Sequence, residues 1–276
     1  MLLSGSGIFW VSDQRYELSA GGVAFLPRGV PHAYRITSDA DLLALSTPSG
    51  LERFFRGAGH DLSTPKPQGW AVTPETMGKA AAENGQIILG PPLDPDDMLP
   101  VQADATPGTH VARADEHETL EWLGGGLMRI LLDEQHTGGQ LSLFRSSAPE
   151  GSASPVYVHS KEDETVVMLS GSGIYRVGEH RYELSAGGVV VVSRGVPMAH
   201  RITSDAETLA INTPGGLEAF FRMAGRDLSQ PRPDGWQISY EVMGQASDAT
   251  GQTVLAAPLG ADEMIPQEFV NRLSKR

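Results

Sequence analysis

Leu3–Gly22 reads LSGSGIFWVSDQRYELSAGG, and Leu169–Gly188 reads LSGSGIYRVGEHRYELSAGG. From this pair the match extends, without a gap, over Leu3 to Leu93 against Leu169 to Leu259. RITSDADLLALSTPSGLERFF meets RITSDAETLAINTPGGLEAFF, and Trp70 and Met77 meet Trp236 and Met243. Roughly three in five positions are identical, far above chance for a repeat. Two copies of so long a period make two domains rather than a solenoid.

What precedes each copy differs. Two residues stand before Leu3, whereas Trp122 to Met168 precede Leu169 with strand signals of their own. The first copy therefore lacks the counterpart of about forty residues of the second. The expected domains are 1–93, a partial copy, and 110–276, a complete one, with 94–109 as linker. A half-built first copy exposes apolar faces and sheet edges. Either the start codon lies inside a longer reading frame or something covers the gap. We expect a homodimer that buries the incomplete copy.

Within the repeat, short β-type runs at Tyr16–Leu18, Val23–Leu26, His32–Ile36 and Leu42–Leu45 alternate with turn chemistry: SGSG, SAGG, PRGVP and TSDAD. The pattern recurs from Tyr182, Val189, Met198 and Thr208. Upstream, Leu127–Leu132 and Gln140–Arg145 flank DEQHTGG as a hairpin, and Pro155–His159 and Thr165–Leu169 add two strands. GLERFFRGAG and GLEAFFRMAG read as one helix per copy, ending in Gly, with a second over Pro74–Asn84 and Ser239–Thr250. Many short, evenly spaced strands indicate an all-β sandwich or jelly roll with a few short α-helices.

Composition narrows the function classes. The net charge of −13 argues against nucleic acid and anionic membranes, which need clustered Lys and Arg. Arg272–Arg276 reads as a solvated basic tail. There is no cysteine, so disulfides, thiolate metal sites and Cys nucleophiles are excluded. Apolar runs such as Val189–Val192 are far too short to span a bilayer, and MLLSGSG has no cationic region or long apolar core. The expected location is cytoplasmic.

Gly151-SASPV-Tyr157-Val-His159-SKED-Glu164-TVVMLS-Gly171 resembles the first cupin motif, G(X)5HXH(X)4E(X)6G, with Tyr157 at the first His. The second motif, G(X)5PXG(X)2H(X)3N, is met by Gly21, Pro27, Gly29 and His32, with Ile36 at the Asn. In the second copy Gly187 and Gly195 remain, while Ser193 replaces the Pro and Met198 the His. The two-copy arrangement, the helix GLEAFFRMAG and the opening HETLEWLGGGLMRILLDEQHTGGQ are similar to the quercetin 2,3-dioxygenase-like bicupins. That resemblance implies duplicated cupin jelly-roll barrels, the first incomplete. It also implies one divalent transition metal (Fe, Mn, Ni, Co or Cu) and a small aromatic substrate, flavonoid- or polyketide-like, in the second barrel.

Carried over residue by residue, the resemblance leaves His159 and Glu164 as metal ligands, with Tyr157 and Met198 at the other two positions. A neutral phenol is a poor ligand, and a thioether suits soft Cu(I). His200 follows Met198 by two residues and faces the same interior, roughly 6.5–7 Å along the strand. A shifted metal held by His159, Glu164 and His200 is one expectation; a pocket-lining polar role for His200 is the plainer one. Met198 reads as apolar filler, Tyr157 equally as a satisfied interior tyrosine or a catalytic phenol, and His32 as a relic. His60, His110, His117, His136 and His180 read as solvated.

Three functions remain open at this stage. One is an oxygenase using the metal, with Glu164 taking a substrate proton. Another is a metal-free cyclase or isomerase in which Tyr157, His159 and His200 serve as acid and base. The last is a non-catalytic small-molecule-binding protein.

Overall fold

The computed structural model describes residues 1–100 and 108–271; the middle of the linker and the basic tail lie outside them. The chain divides into two compact units. Unit 1 is Met1–Gly22 with Gly29–Thr106, and unit 2 is Val23–Arg28 with Pro107–Arg276.

The first four strands are β1 (Ser6–Val11), β2 (Gln14–Ser19), β3 (Val23–Phe25) and β4 (His32–Ile36). In unit 1 they form an antiparallel sheet ordered β2-β1-β4. Helices α1 (Glu52–Ala58) and α2 (Pro74–Glu83) follow and pack on each other. Thr73 caps α2 reciprocally with Thr76. The strand expected at Leu42–Leu45 does not form; only a Leu2–Leu42 bridge remains. Its counterpart Thr208–Ile211 is a strand because a neighbour pairs with it. Unit 1 has no such neighbour among its described residues, so the run stays open.

Unit 2 continues with β5 (His110–Ala112), β6 (Glu118–Glu121), β7 (Leu127–Leu132), α3 (Glu134–Thr137), β8 (Ser142–Ala148) and β9 (Val156–His159). Next come β10 (Asp163–Val177), β11 (His180–Ser185), β12 (Val189–Val192) and β13 (Met198–Thr213). The chain closes with α4 (Glu218–Ala224), β14 (Arg226–Asp227), α5 (Tyr240–Thr250), β15 (Gln252–Ala256) and α6 (Gln267–Asn271). Ten strands join in the order β11-β10-β13-β8-β7-β6-β14, with β12 on β10, β9 on β13, and β15 on β9. The expected hairpin is present as β7 and β8, and its DEQHTGG turn is one helical turn capped by Asp133. β3 of the first copy pairs with β5 and belongs to unit 2.

Side chains pointing inward from β10, β12 and β13 pack as one core: Val166, Met168, Tyr175, Val190, Val192, Met198, Ile202 and Ala206. Fully buried Arg176 donates to the carbonyls of Gly260, Ala261 and Glu263, clamping the C-terminal segment. Fully buried Trp10 takes its place in unit 1 and donates from its indole to the Asp97 carbonyl at 2.8 Å. Arg35 holds the Leu93 carbonyl as Arg201 holds that of Leu259. Residues 94–97, read above as the start of the linker, are thus fastened to unit 1. No helix among the described residues is long and apolar enough to cross a membrane.

SGSG, expected as a turn, is a bend running into β1 in the first copy and a bulge within β10 in the second, and it has one obligatory glycine in each. Gly171 has φ +75°, and a Cβ there would lie 2.1 Å from the Asp205 carbonyl oxygen; at Gly5, φ is +76° and the Asp39 oxygen would be 2.2 Å away. Both the backbone conformation and the space require glycine. Gly171→Ala is expected to destabilise unit 2 by about 3 kcal/mol, read as a lower urea midpoint.

Candidate active site

An apolar cavity of about 140 Å³ lies inside unit 2. Its floor is polar. β9 extends through Val156–His159, and alternation along the strand sends Tyr157 and His159 to one face. β10 adds Glu164, and β13 adds His200. The opposite wall is aromatic: Trp122 meets Phe220 and Phe221 edge-on at 5.8 and 4.9 Å, and Phe221 meets Phe144 at 5.0 Å. Trp122 comes from the segment before β7 and Phe220 and Phe221 from α4, and Phe144 of β8 backs them from behind the lining. Their apolar stripe is the one the GLEAFF pattern presents.

The polar floor is a connected chain. Glu162 is buried and, as a carboxylate, only accepts; it takes a hydrogen bond from Gln252 Nε2 at 3.1 Å. That fixes the amide, so Gln252 Oε1 faces His159 Nδ1 and accepts its proton. The other ring nitrogen, His159 Nε2, lies 3.3 Å from Glu164 Oε2. A neutral His159 with its proton on Nδ1 would point a lone pair at that carboxylate, so the second proton is favoured. Tyr157 donates its hydroxyl to the same Glu164 oxygen at 3.3 Å.

The ionisation states follow. Burial opposes charge on His159, but the hydrogen bond and charge of Glu164, with the Gln252 contact, outweigh it and raise the imidazole above its ordinary 6.5. Burial likewise opposes charge on Glu164, and the His159 bond and charge overcome it, holding the carboxyl below its ordinary 4.5. Desolvation first, then the Glu164 charge, push the Tyr157 phenol well above 10.0. Desolvation pulls His200 below 6.5, with the Glu164 charge opposing. These directions favour a His159–Glu164 ion pair beside a neutral phenol and a neutral His200.

His200 does not join the chain at hydrogen-bond range in the way the other three do. Its ring stacks on Tyr175 at 5.5 Å, and its backbone N–H donates to Ser154 Oγ. Met198 is buried in the strand core, as its apolar character implied. In unit 1, His32 is exposed, with Nδ1 against the Val30 carbonyl. His110 and His136, read as solvated, stack on each other at 3.7 Å.

The donor chemistry does not fit the metal that the resemblance implies. A stable site needs three or more protein ligands. Among the described residues, no group of three His, Cys, Asp or Glu is arranged to hold a metal ion. The two remaining family positions carry a phenol that burial keeps protonated and a thioether packed in the core. Gln252 and Glu162 were not among the candidates. Glu162 sits unremarked in SKED, but Gln252 had a signal: it aligns with Gln86, directly after a conserved-in-both-copies Gly at the end of the second helix.

Comparison with known proteins places the fold. The sequence model of the cupin domain matches residues 1–48 and 144–213, so each copy carries cupin-domain sequence. The architecture is the cupin jelly roll. Oxalate decarboxylase from Bacillus subtilis, studied as a single-site variant, superposes over 78% of this chain and 63% of its own, with TM-score 0.52 and 16% identity. An RmlC-like cupin from Shewanella frigidimarina covers 39% of this chain and 92% of its own (TM-score 0.35, 15% identity). KdgF from Halomonas sp. covers 38% and 94% (TM-score 0.35, 15% identity). No curated protein matches the sequence. Both copies thus carry cupin-domain sequence, and the fold is similar to that of oxalate decarboxylase.

The ion pair sets a pH signature. The raised His159 contributes stability that is full below pH 6.5 and lost as pH rises through its folded value. The lowered Glu164 contributes stability that is present above pH 4.5 and lost as pH falls through its folded value. The urea-midpoint difference between wild type and Glu164→Gln is expected to peak between these two values and shrink on either side.

Proposed function

We propose that unit 2 is a metal-independent acid–base enzyme, a cyclase or isomerase acting on a small enolisable ring compound. The observation that carries this reading is the relay Glu162–Gln252–His159–Glu164–Tyr157, whose last four members line a mainly apolar cavity. Apolar walls with a few convergent polar groups suit a small ligand. Size selects among aromatics. An apolar cavity of about 150 Å³ holds benzene, so 140 Å³ accommodates one ring rather than the three of a flavonoid. This favours a monocyclic substrate over the flavonoid that the dioxygenase resemblance implies.

Each residue then has a role. Neutral His200 takes the proton from the substrate carbon or hydroxyl. The Tyr157 hydroxyl turns from Glu164 to donate to the oxyanion that develops. The His159–Glu164 pair holds the phenol in place, and Gln252 and Glu162 hold the imidazole. The aromatic wall excludes water from the ring. The test is turnover or solvent-deuterium incorporation across a panel of monocyclic hydroxyarenes and cyclic diketones. Activity is expected to survive exhaustive chelation and to fall at least about 100-fold in His159→Ala. One equivalent of transition metal per chain, with activity lost on its removal, would overturn the reading in favour of the oxygenase.

A second observation concerns assembly. Tyr34, Ile36, Leu42 and Leu45 of unit 1 are exposed, whereas Ile202, Thr208 and Ile211 at the last three positions of the second copy are buried. We propose that a second copy of the chain covers this face in a homodimer. Light scattering is expected to give twice the chain mass, and Leu45→Glu to give the monomer; a wild-type monomer at high concentration contradicts it.

A further inference from the structure

The cavity of unit 2 has a polar group that the relay does not use. Ser247 sits on α5 one turn after Met243, and both line the cavity. Ser247 is buried, and its Oγ has no hydrogen-bond partner among the described residues. A serine or threonine inside a helix ordinarily returns its hydroxyl to the carbonyl one turn back. Thr250, three residues further along, does so, donating to the Ala246 carbonyl at 2.8 Å. An orphan hydroxyl at a buried position is destabilising and calls for a reason.

The duplication supplies an internal control. Ser247 aligns with Ala81 of the first copy. Ala81 is buried in α2, which packs against α1 as α5 packs against α4. The same helix pair is therefore built with a methyl group at this position, and its packing does not call for an oxygen. The difference between the copies coincides with the cavity, which Ser247 lines.

We propose that Ser247 is a specificity-determining residue that hydrogen-bonds a second oxygen on the ring held in the cavity. The inference rests on the ring-substrate reading above. One ring oxygen lies at Tyr157; the other, a hydroxyl or a carbonyl, meets Ser247 Oγ. Met128, Val166 and Phe221 are among the apolar groups that take the ring itself. The substrate class becomes a single ring carrying two oxygens.

The experiment titrates the full chain with phenol, resorcinol and hydroquinone by calorimetry, in wild type, Ser247→Ala and Ser247→Thr. Ser247→Ala is expected to weaken the better-bound of the two dihydroxybenzenes roughly five- to tenfold and to leave phenol unchanged. Ser247→Thr, which keeps a hydroxyl, restores most of the loss. The thermal midpoint of ligand-free Ser247→Ala is expected to equal or exceed that of wild type, because an orphan hydroxyl has been removed. A lower midpoint, or the same affinity change for phenol as for the dihydroxybenzenes, gives Ser247 a structural role and overturns the inference while leaving the acid–base reading intact. Binding of the rings with no effect of Ser247→Ala does the same. Failure of all three rings to bind overturns the ring-substrate reading and this inference with it.

Discussion

The antiparallel pairing of β10 with β13 fixes the geometry of unit 2. It runs from Asp163 opposite Thr213 to Val177 opposite Met198, interrupted by register shifts within the SGSG stretch of β10. Because side chains alternate along each strand, this one register decides which residues face the cavity. It puts Glu164 near one end of β10 and Tyr175 near the other, opposite His200. A slip of one residue would turn Glu164 outward and bring Thr165 into the interior. The glycine at the register shift lets the backbones approach closely enough for the two strands to stay paired through the bend.

That register brings a carboxylate into an apolar interior, where an unpaired charge is very costly. The neighbourhood answers by ordering protons. Glu162 orients Gln252, Gln252 orients His159, and His159 shares its second proton with Glu164. The amide is the decisive link, because it carries an acceptor to one side and a donor to the other. A residue in β15 thereby fixes the ring orientation of one in β9. The cupin framework commonly spends these interior positions on metal ligands. Here a phenol and a thioether occupy two of them, and the polar groups that remain satisfy one another.

Much of the fold was legible because turn chemistry and strand periodicity act locally. The SAGG turns, the β7–β8 hairpin and both helix pairs fall where their residues place them, whereas SGSG, read as a turn, is a bulge inside β10 in the second copy. Leu42–Leu45 failed for a nonlocal reason: a strand needs a neighbour, and propensity in one segment cannot report whether another segment is present. The candidate residues Tyr157, His159 and Glu164 were legible because they fall within eight consecutive residues, across the short connection from β9 to β10. His200 was placed in the right cavity by alternation. Gln252 was not foreseen, since it reaches His159 through β9–β15 pairing between segments far apart in sequence. Ser247 was invisible for a related reason: its distinction is a missing partner, which only the folded neighbourhood reveals.

β3 lies inside the first copy yet pairs with β5 of unit 2. Its counterpart in the second copy, β12, pairs with β10 of its own unit. The first copy has no counterpart of Glu164–Val167, the half of β10 that β12 pairs with, and β3 finds a partner elsewhere. The duplication is therefore not modular: the boundary drawn by sequence identity and the boundary drawn by backbone pairing do not coincide. Cutting the gene between the copies would divide a β-ladder, leaving β5 with a bare edge open to strand addition. The seam suggested by sequence identity therefore falls inside unit 2, not between the two units.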